Sequence, residues 1–335
     1  MRKLLAIVTA GVLAVGLAGC SSINSEQAMY DSLKASCGDV TTAAAGATVS
    51  SIDVSKNKGV PVVTFATPLV GKAIETKVVT AGTGPKITGN QDVEIEFEGV
   101  NAGNGKVFQK SSFLGTDTAL EYLYPSMNPP FCKALGGVRE GSRVVVYVPS
   151  KLGHNNQGVP SLNIGKSDGI IFIFDIKKVY LPYAVGNAQS PKSGFPAVVR
   201  AADGRPGVTI QSSATPPTTT KDGQPAIGVE TLIEGAGQTV KQGDSIVLHY
   251  AGYLWSTGEK FDSSWTSTTG EPVSFTLTPG SLIPGFLDAI VGQKVGSQVV
   301  AVIPPNQGYK DVAQGSIPAN STLVFVIDIL GIKGK

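Results

Sequence analysis

Histidine and cysteine are scarce in this 335-residue chain: His154 and His249 are its only imidazoles, and Cys20, Cys37 and Cys132 its only thiols. So few ligands argue against a zinc site, which needs several of them close together, and no metal or other cofactor is expected. Runs of lysine or arginine are missing too. With Arg2 and Lys3 set aside, the 27 basic side chains fall to 25, equal in number to the 25 acidic ones. A surface so near neutrality lacks the electrostatic footprint of a nucleic-acid binder. After the first twenty residues no apolar run approaches the roughly eighteen residues of a membrane-spanning helix. Catalytic signatures are equally thin. No Gly-x-Ser-x-Gly falls in a strand-turn-helix context, and two histidines leave few placements for a Ser-His-Asp triad. His249 adjoins Tyr250 in a strand-like run, so the two point to opposite faces, and His154 has no carboxylate nearby in sequence. Both histidines are expected as surface or loop residues. Gly136-Gly137 lacks the Lys-Ser/Thr of a phosphate loop. Hydrolytic and phosphoryl chemistry drop out.

Glycine and proline, by contrast, are plentiful, at 41 and 21 residues, and favour short strands and turns over long helices. The N-terminus reads as an address. Arg2-Lys3 precedes an apolar stretch from Leu4 to Leu17, too short to span a bilayer but suited to a signal peptide. Leu17-Ala18-Gly19-Cys20 resembles the bacterial lipoprotein signal, in which cleavage leaves a lipid-modified cysteine; the other reading is an ordinary secretory signal. The expectation is a signal peptide over residues 1–19, lipid on Cys20, a spacer over 20–54, and a body tethered to the membrane outside the cytoplasm. In that oxidising setting Cys37 and Cys132 are expected as a disulfide, or else as two buried free thiols.

The chain repeats itself. Val78 to Val100 lies over Thr231 to Tyr253 at a constant offset of 153, so that Gly82, Gly84, Phe97, Gly99 and Phe108 meet Gly235, Gly237, Tyr250, Gly252 and Phe261. Ala134 to Pro149 then lies over Ala289 to Pro304 at an offset of 155. Each copy ends in an apolar run carrying one aspartate, Asp175 or Asp328. Each also reads as several short strands with one brief helix. In the second copy that helix starts near Pro284, stops at Gly292 and has Phe286, Ala289 and Ile290 on one face. The fold class is therefore α+β, with tandem modules over 55–182 and 196–335, each a bent antiparallel sheet over a short helix. A linker is expected at 183–195, and Ser212 to Thr220, of low complexity, is expected as an exposed loop.

In the second copy an acid stands among aromatic and aliphatic residues. HYAG (His249–Gly252), GEKFDSS (Gly258–Ser264), LIPGF (Leu282–Phe286), GQKVGS (Gly292–Ser297) and IPANSTLVF (Ile317–Phe325) follow one another there. In this order the motifs resemble FKBP-type peptidyl-prolyl isomerases over residues 228–332, and the first copy resembles the same family faintly. The resemblance implies a proline-holding pocket walled by Tyr250, Phe261, Val273, Leu282, Ile283, Phe286, Ile317 and Phe325. Asp262, Tyr309 and the Ile283 N–H would supply its polar contacts. Gln307 stands where some members have an aromatic, and Lys310 replaces the usual glycine. In the first copy Gln109, Asn128 and His154 take the places of Asp262, Ile283 and Tyr309, so that module is expected to fold alike and be catalytically silent. The activity implied is cis–trans isomerisation of X-Pro bonds in exported proteins, with macrolides as further ligands. A non-catalytic, surface-tethered chaperone or peptide-binding module is the alternative.

Overall fold

The apolar runs that close each copy are the inner strands of two antiparallel sheets in the computed structural model. It describes residues 43–56, 59–88, 91–113, 120–123 (backbone only), 131, 134–266 and 270–334. The expected signal peptide, Cys20, Cys37, Cys132 and Asn128 lie outside the described residues.

A one-turn helix, α1 (Ala47–Ser50), and a short hairpin, β1 (Asp53–Val54) with β2 (Val63–Thr64), lead into the first sheet. Its strands are β3 (Glu75–Thr80), β4 (Asp92–Asn101), β5 (Val107–Lys110), β6 (Leu120–Leu123), β7 (Arg143–Val148) and β8 (Ile170–Val179), with the one-turn α2 (Ser150–Gly153) after β7. They lie in the order β3-β7-β8-β4-β5, with β6 also against β4. Phe131, Ala134 and Leu135 have helical backbone.

The second half begins with β9 (Gly186–Ala188) and two hairpins, β10 (Ala197–Arg200) with β11 (Pro206–Thr209) and β12 (Thr219–Lys221) with β13 (Gln224–Ala226). There follow β14 (Gly228–Gly235), β15 (Ser245–Leu254), β16 (Lys260–Ser263), β17 (Val273–Thr276), α3 (Pro284–Ile290), β18 (Gln298–Ile303) and β19 (Leu323–Ile332). The order is β16-β15-β19-β18-β14-β9, with β17 also on β15. Pro284 opens α3 because its missing N–H is one the first turn would leave unpaired anyway. Phe286, Ala289 and Ile290 are buried as the periodicity predicts.

Both faces of each sheet are covered. The concave face of the second packs α3 against Leu248, Ala301, Ile303, Phe325 and Ile327. Its other face, with Tyr253, Trp255, Trp265, Val300 and Val326, is roofed by Tyr183, Phe195, Val198, Val208, Ile210 and Ala214. The first sheet has the same design: Val100, Val145, Ile171 and Ile173 lie under Val49, Ile52, Val63 and Phe65 from the preceding segment. Two-sided burial explains why β7, β18 and β19 read as nearly continuous apolar runs without alternation.

The roof changes two expectations. Ser212 to Thr220 is not simply an exposed loop: Ala214 packs into the roof and its carbonyl accepts Trp255 Nε1–H at 3.2 Å. The segment 183–195, expected as a linker, adds β9 to the second sheet through Ile233↔Ala188 pairing and places Tyr183 and Phe195 on its outer face. The halves meet at Tyr180, whose hydroxyl donates to Glu94 of the first sheet while its ring packs on Val247 and Leu330 of the second.

Candidate functional site

Strand alternation on β15 turns Tyr250 and Gly252 toward α3 and His249 toward the roof. The register sets Gly252 opposite Asp262 on one neighbour and opposite Phe325 on the other. Glycine is required there, because a Cβ would lie 2.6 Å from the Phe261 ring and 2.9 Å from that of Phe325. Backbone thus gives way to two rings, which meet edge to face with centroids 5.5 Å apart. From α3, Phe286 meets Phe325 edge to face at 5.0 Å and Tyr250 at 6.1 Å. Such T-shaped contacts set the positive ring edge against the negative face. They hold the walls of a cavity of about 510 Å3.

Eight of the ten residues named from the sequence line this cavity: Tyr250, Phe261, Asp262, Leu282, Ile283, Phe286, Tyr309 and Phe325. Val273 and Ile317 do not; they pack in the hydrophobic core that backs it. Phe275, Gly280, Ser281, Pro284, Gly308 and Lys310 line it as well. Phe275 shares the inward face of β17 with Val273, two residues on, and its ring lies 6.2 Å from that of Phe286. Period-two spacing from Val273 was the signal available for it.

The polar equipment is small. The Tyr250 hydroxyl donates to Asp262 Oδ2, and the Ser263 N–H donates to Oδ1 at 2.8 Å. Burial, then the bond to Asp262 and its negative charge, push the Tyr250 hydroxyl well above its ordinary ionisation range. It remains a donor at any physiological pH. Such a site can bind, orient and exclude water around an apolar ring; it contains no nucleophile–base pair. Among the described residues no three histidine, cysteine, aspartate or glutamate side chains are grouped to hold a metal ion.

Of the two histidines, His154 is in a loop as expected and His249 is not at the surface. His249 is fully buried, stacked on Trp265 with centroids 3.7 Å apart, and its Nδ1 is 2.9 Å from Ser264 Oγ. Burial pushes its pKa down to about 3, which leaves it neutral. The expectation failed because the face opposite Tyr250 is roofed and not wet. His154 is a half-buried loop residue whose Nδ1 accepts the Gly158 N–H at 3.0 Å, with Nε2 2.8 Å from the Asp168 carbonyl.

In the first sheet the matching positions also hold a set of rings. Phe172, in register with Gly99 as Phe325 is with Gly252, meets Phe108 at 5.9 Å, Phe131 at 4.8 Å and Phe174 at 5.6 Å. Gln109 stands opposite Gly99, where the second module has Asp262 opposite Gly252.

The chain resembles known proteins twice along its length. Residues 84–177 and 236–330, together more than half of it, match the model of the FKBP-type peptidyl-prolyl cis-trans isomerase family. It is 41% identical over 108 residues to FK506-binding protein 1A of Neurospora crassa, covering 32% of this chain and 88% of that protein. It is 42% identical over 104 residues to FK506-binding protein 2 of Podospora anserina, covering 31% of this chain and 55% of that one. The structure of the three FKBP domains of wheat FKBP73 aligns over 77% of this chain and 94% of its own, with a TM-score of 0.33 and 17% identity. The two matches fall one on each sheet, and the second encloses the aromatic cavity: this chain belongs to the FKBP-type peptidyl-prolyl cis–trans isomerases and carries their module in tandem.

Proposed function

We propose that the second module isomerises X-Pro bonds in the aromatic cavity, and that the chain does so as a lipid-anchored protein outside the cytoplasmic membrane, acting on exported proteins. The observation that carries the reading is the aromatic box closed around one hydrogen-bonded carboxylate. X-Pro isomerisation needs no nucleophile, metal or proton shuttle; its barrier is amide resonance, about 18–20 kcal/mol. Twisting the bond ends conjugation and leaves the carbonyl less polar than in the planar amide. Walls such as Phe286 and Phe325 therefore favour the twisted form over the planar one, which is differential binding in the required direction. Asp262, Tyr309 and the Ile283 N–H orient the flanking peptide.

Export and anchoring rest on the N-terminal signal and Cys20, and the client class follows from that location, where uncatalysed proline steps take tens of seconds. The first module, with Gln109 and His154 at the polar positions, serves as a folded but silent partner. A protease-coupled proline-peptide assay tests the assignment: an Asp262→Ala, Phe325→Ala double variant should lose activity at least a hundredfold, and undiminished turnover would refute it. A fragment of residues 43–182 should be inactive in the same assay. Acceleration of the slow phase in a proline-limited refolding reaction separates an isomerase from a binding module without turnover.

A further inference from the structure

Asp262 and Lys310 are the charged side chains that line the cavity. They differ in what they are free to do. Both oxygens of Asp262 already accept hydrogen bonds, from Tyr250 and Ser263. The Lys310 side chain is exposed, and its ammonium has no ion pair or hydrogen bond among the described residues. Asp311, next to it, is exposed and does not line the cavity.

The backbone beneath this lysine is fixed and strained. Its N–H donates to the Pro305 carbonyl at 2.8 Å and its carbonyl accepts the Asn320 N–H at 2.7 Å. Its φ is 58°, in the left-handed region that glycine enters freely and a side chain enters at a cost. A residue kept where glycine would be easier, with its charge unspent at the lip of a pocket, is where strain points to function.

We infer that Lys310 is a specificity-determining residue: it selects proline segments that carry an acidic side chain next to the proline. This rests on the proline-pocket reading of the second module. The ammonium attracts a flanking carboxylate and repels a flanking ammonium. Asp262 opposes that preference, but it does so alike in the wild type and in every Lys310 variant, so the change on altering Lys310 isolates the lysine's share.

The test compares three-peptide series, with Glu, Gln or Lys placed just before or just after the proline, on the full chain and on its Lys310→Gln and Lys310→Glu variants. Turnover is read as kcat/KM and affinity by fluorescence anisotropy, each as a ratio to the Gln peptide. The wild type should favour Glu over Lys by about two- to fivefold in at least one series, the size expected of an exposed charge pair. Lys310→Gln should bring the ratio to one or below, Lys310→Glu should invert it, and 0.5 M salt should flatten it. Ratios shared by all three proteins in both series would overturn the inference. Turnover without selectivity refutes it alone; selective binding without turnover refutes only the catalytic reading. Neither binding nor turnover refutes both.

Discussion

The Tyr250 hydroxyl donates to the Asp262 carboxylate at the mouth of the aromatic cavity, while the Ser263 amide takes the carboxylate's other oxygen. The pair joins β15 to β16 across the ring cluster, so the acid's orientation is set before any peptide arrives. Pre-set orientation is what a site without a nucleophile relies on.

Tyr250→Phe should lower kcat/KM for a proline peptide by about tenfold, yet cost only about 1 kcal/mol in stability, because an exposed acceptor loses a single bond. Alkaline absorbance titration of the wild type minus this variant should show no Tyr250 ionisation as pH passes its ordinary value of 10.0, since burial and Asp262 both hold the proton on.

Gly252→Ala should damage stability and site together. The added Cβ meets two rings that cannot both retreat from Phe286. Overpacking of this kind costs about 1–3 kcal/mol, and proline-peptide activity should fall by more than tenfold. A variant with unchanged melting temperature and kcat/KM would contradict the packing described.

Acid should act on the second module through two buried groups of opposite sign. His249 is held neutral, its pKa lowered to about 3 from 6.5, so the unfolded chain binds the proton first and stability falls as pH drops through that window. Asp328 is raised to about 6 from 3.8, chiefly by burial, so the folded chain holds its proton longer and stability falls as pH rises from about 4 to 6. Between those limits the two offset. His249→Phe should leave Asp328 alone, making the module more stable at pH 4.5 than at pH 6; Asp328→Asn should give the reverse slope, at most about 1.4 kcal/mol per pH unit. Trp255 and Trp265, the only tryptophans, both lie in this module, so thermal melts followed by their fluorescence read it selectively.

Removing the roof should expose an apolar sheet face. A fragment starting at Gly228 uncovers Tyr253, Trp265, Val300 and Val326, while one starting at Tyr183 keeps Phe195, Val198 and Ala214 over them. The shorter fragment should bind a hydrophobic dye and aggregate on size-exclusion chromatography; the longer should elute as a folded species.

Much of this architecture is written in the residues. Matching glycines betray the duplication, and Pro284 with Gly292 brackets the helix. Alternation from Tyr250 and Phe325 marks which side chains share a wall. The roof was not legible, because Pro-, Ser- and Thr-rich stretches such as Ser212 to Thr220 have no period to reveal what they cover. That gap carried His249 into the wrong environment, since an alternating strand says which face a residue takes but not what lies over it. Val273 and Ile317 share the apolar cluster of the cavity walls without lining the cavity: the pattern marks an inward-facing residue, and only the curvature of the sheet decides whether it reaches the opening.

Tyr180 ties its hydroxyl to Glu94 and rests its ring over Gly331, where a Cβ would come within 2.4 Å of that ring. One side chain thus depends on two separate halves for its seat. Melting the first half takes away one side of that seat, so the second half should melt earlier once the first has unfolded, and damage near Glu94 should be felt as a lower melting temperature around the distant tryptophans.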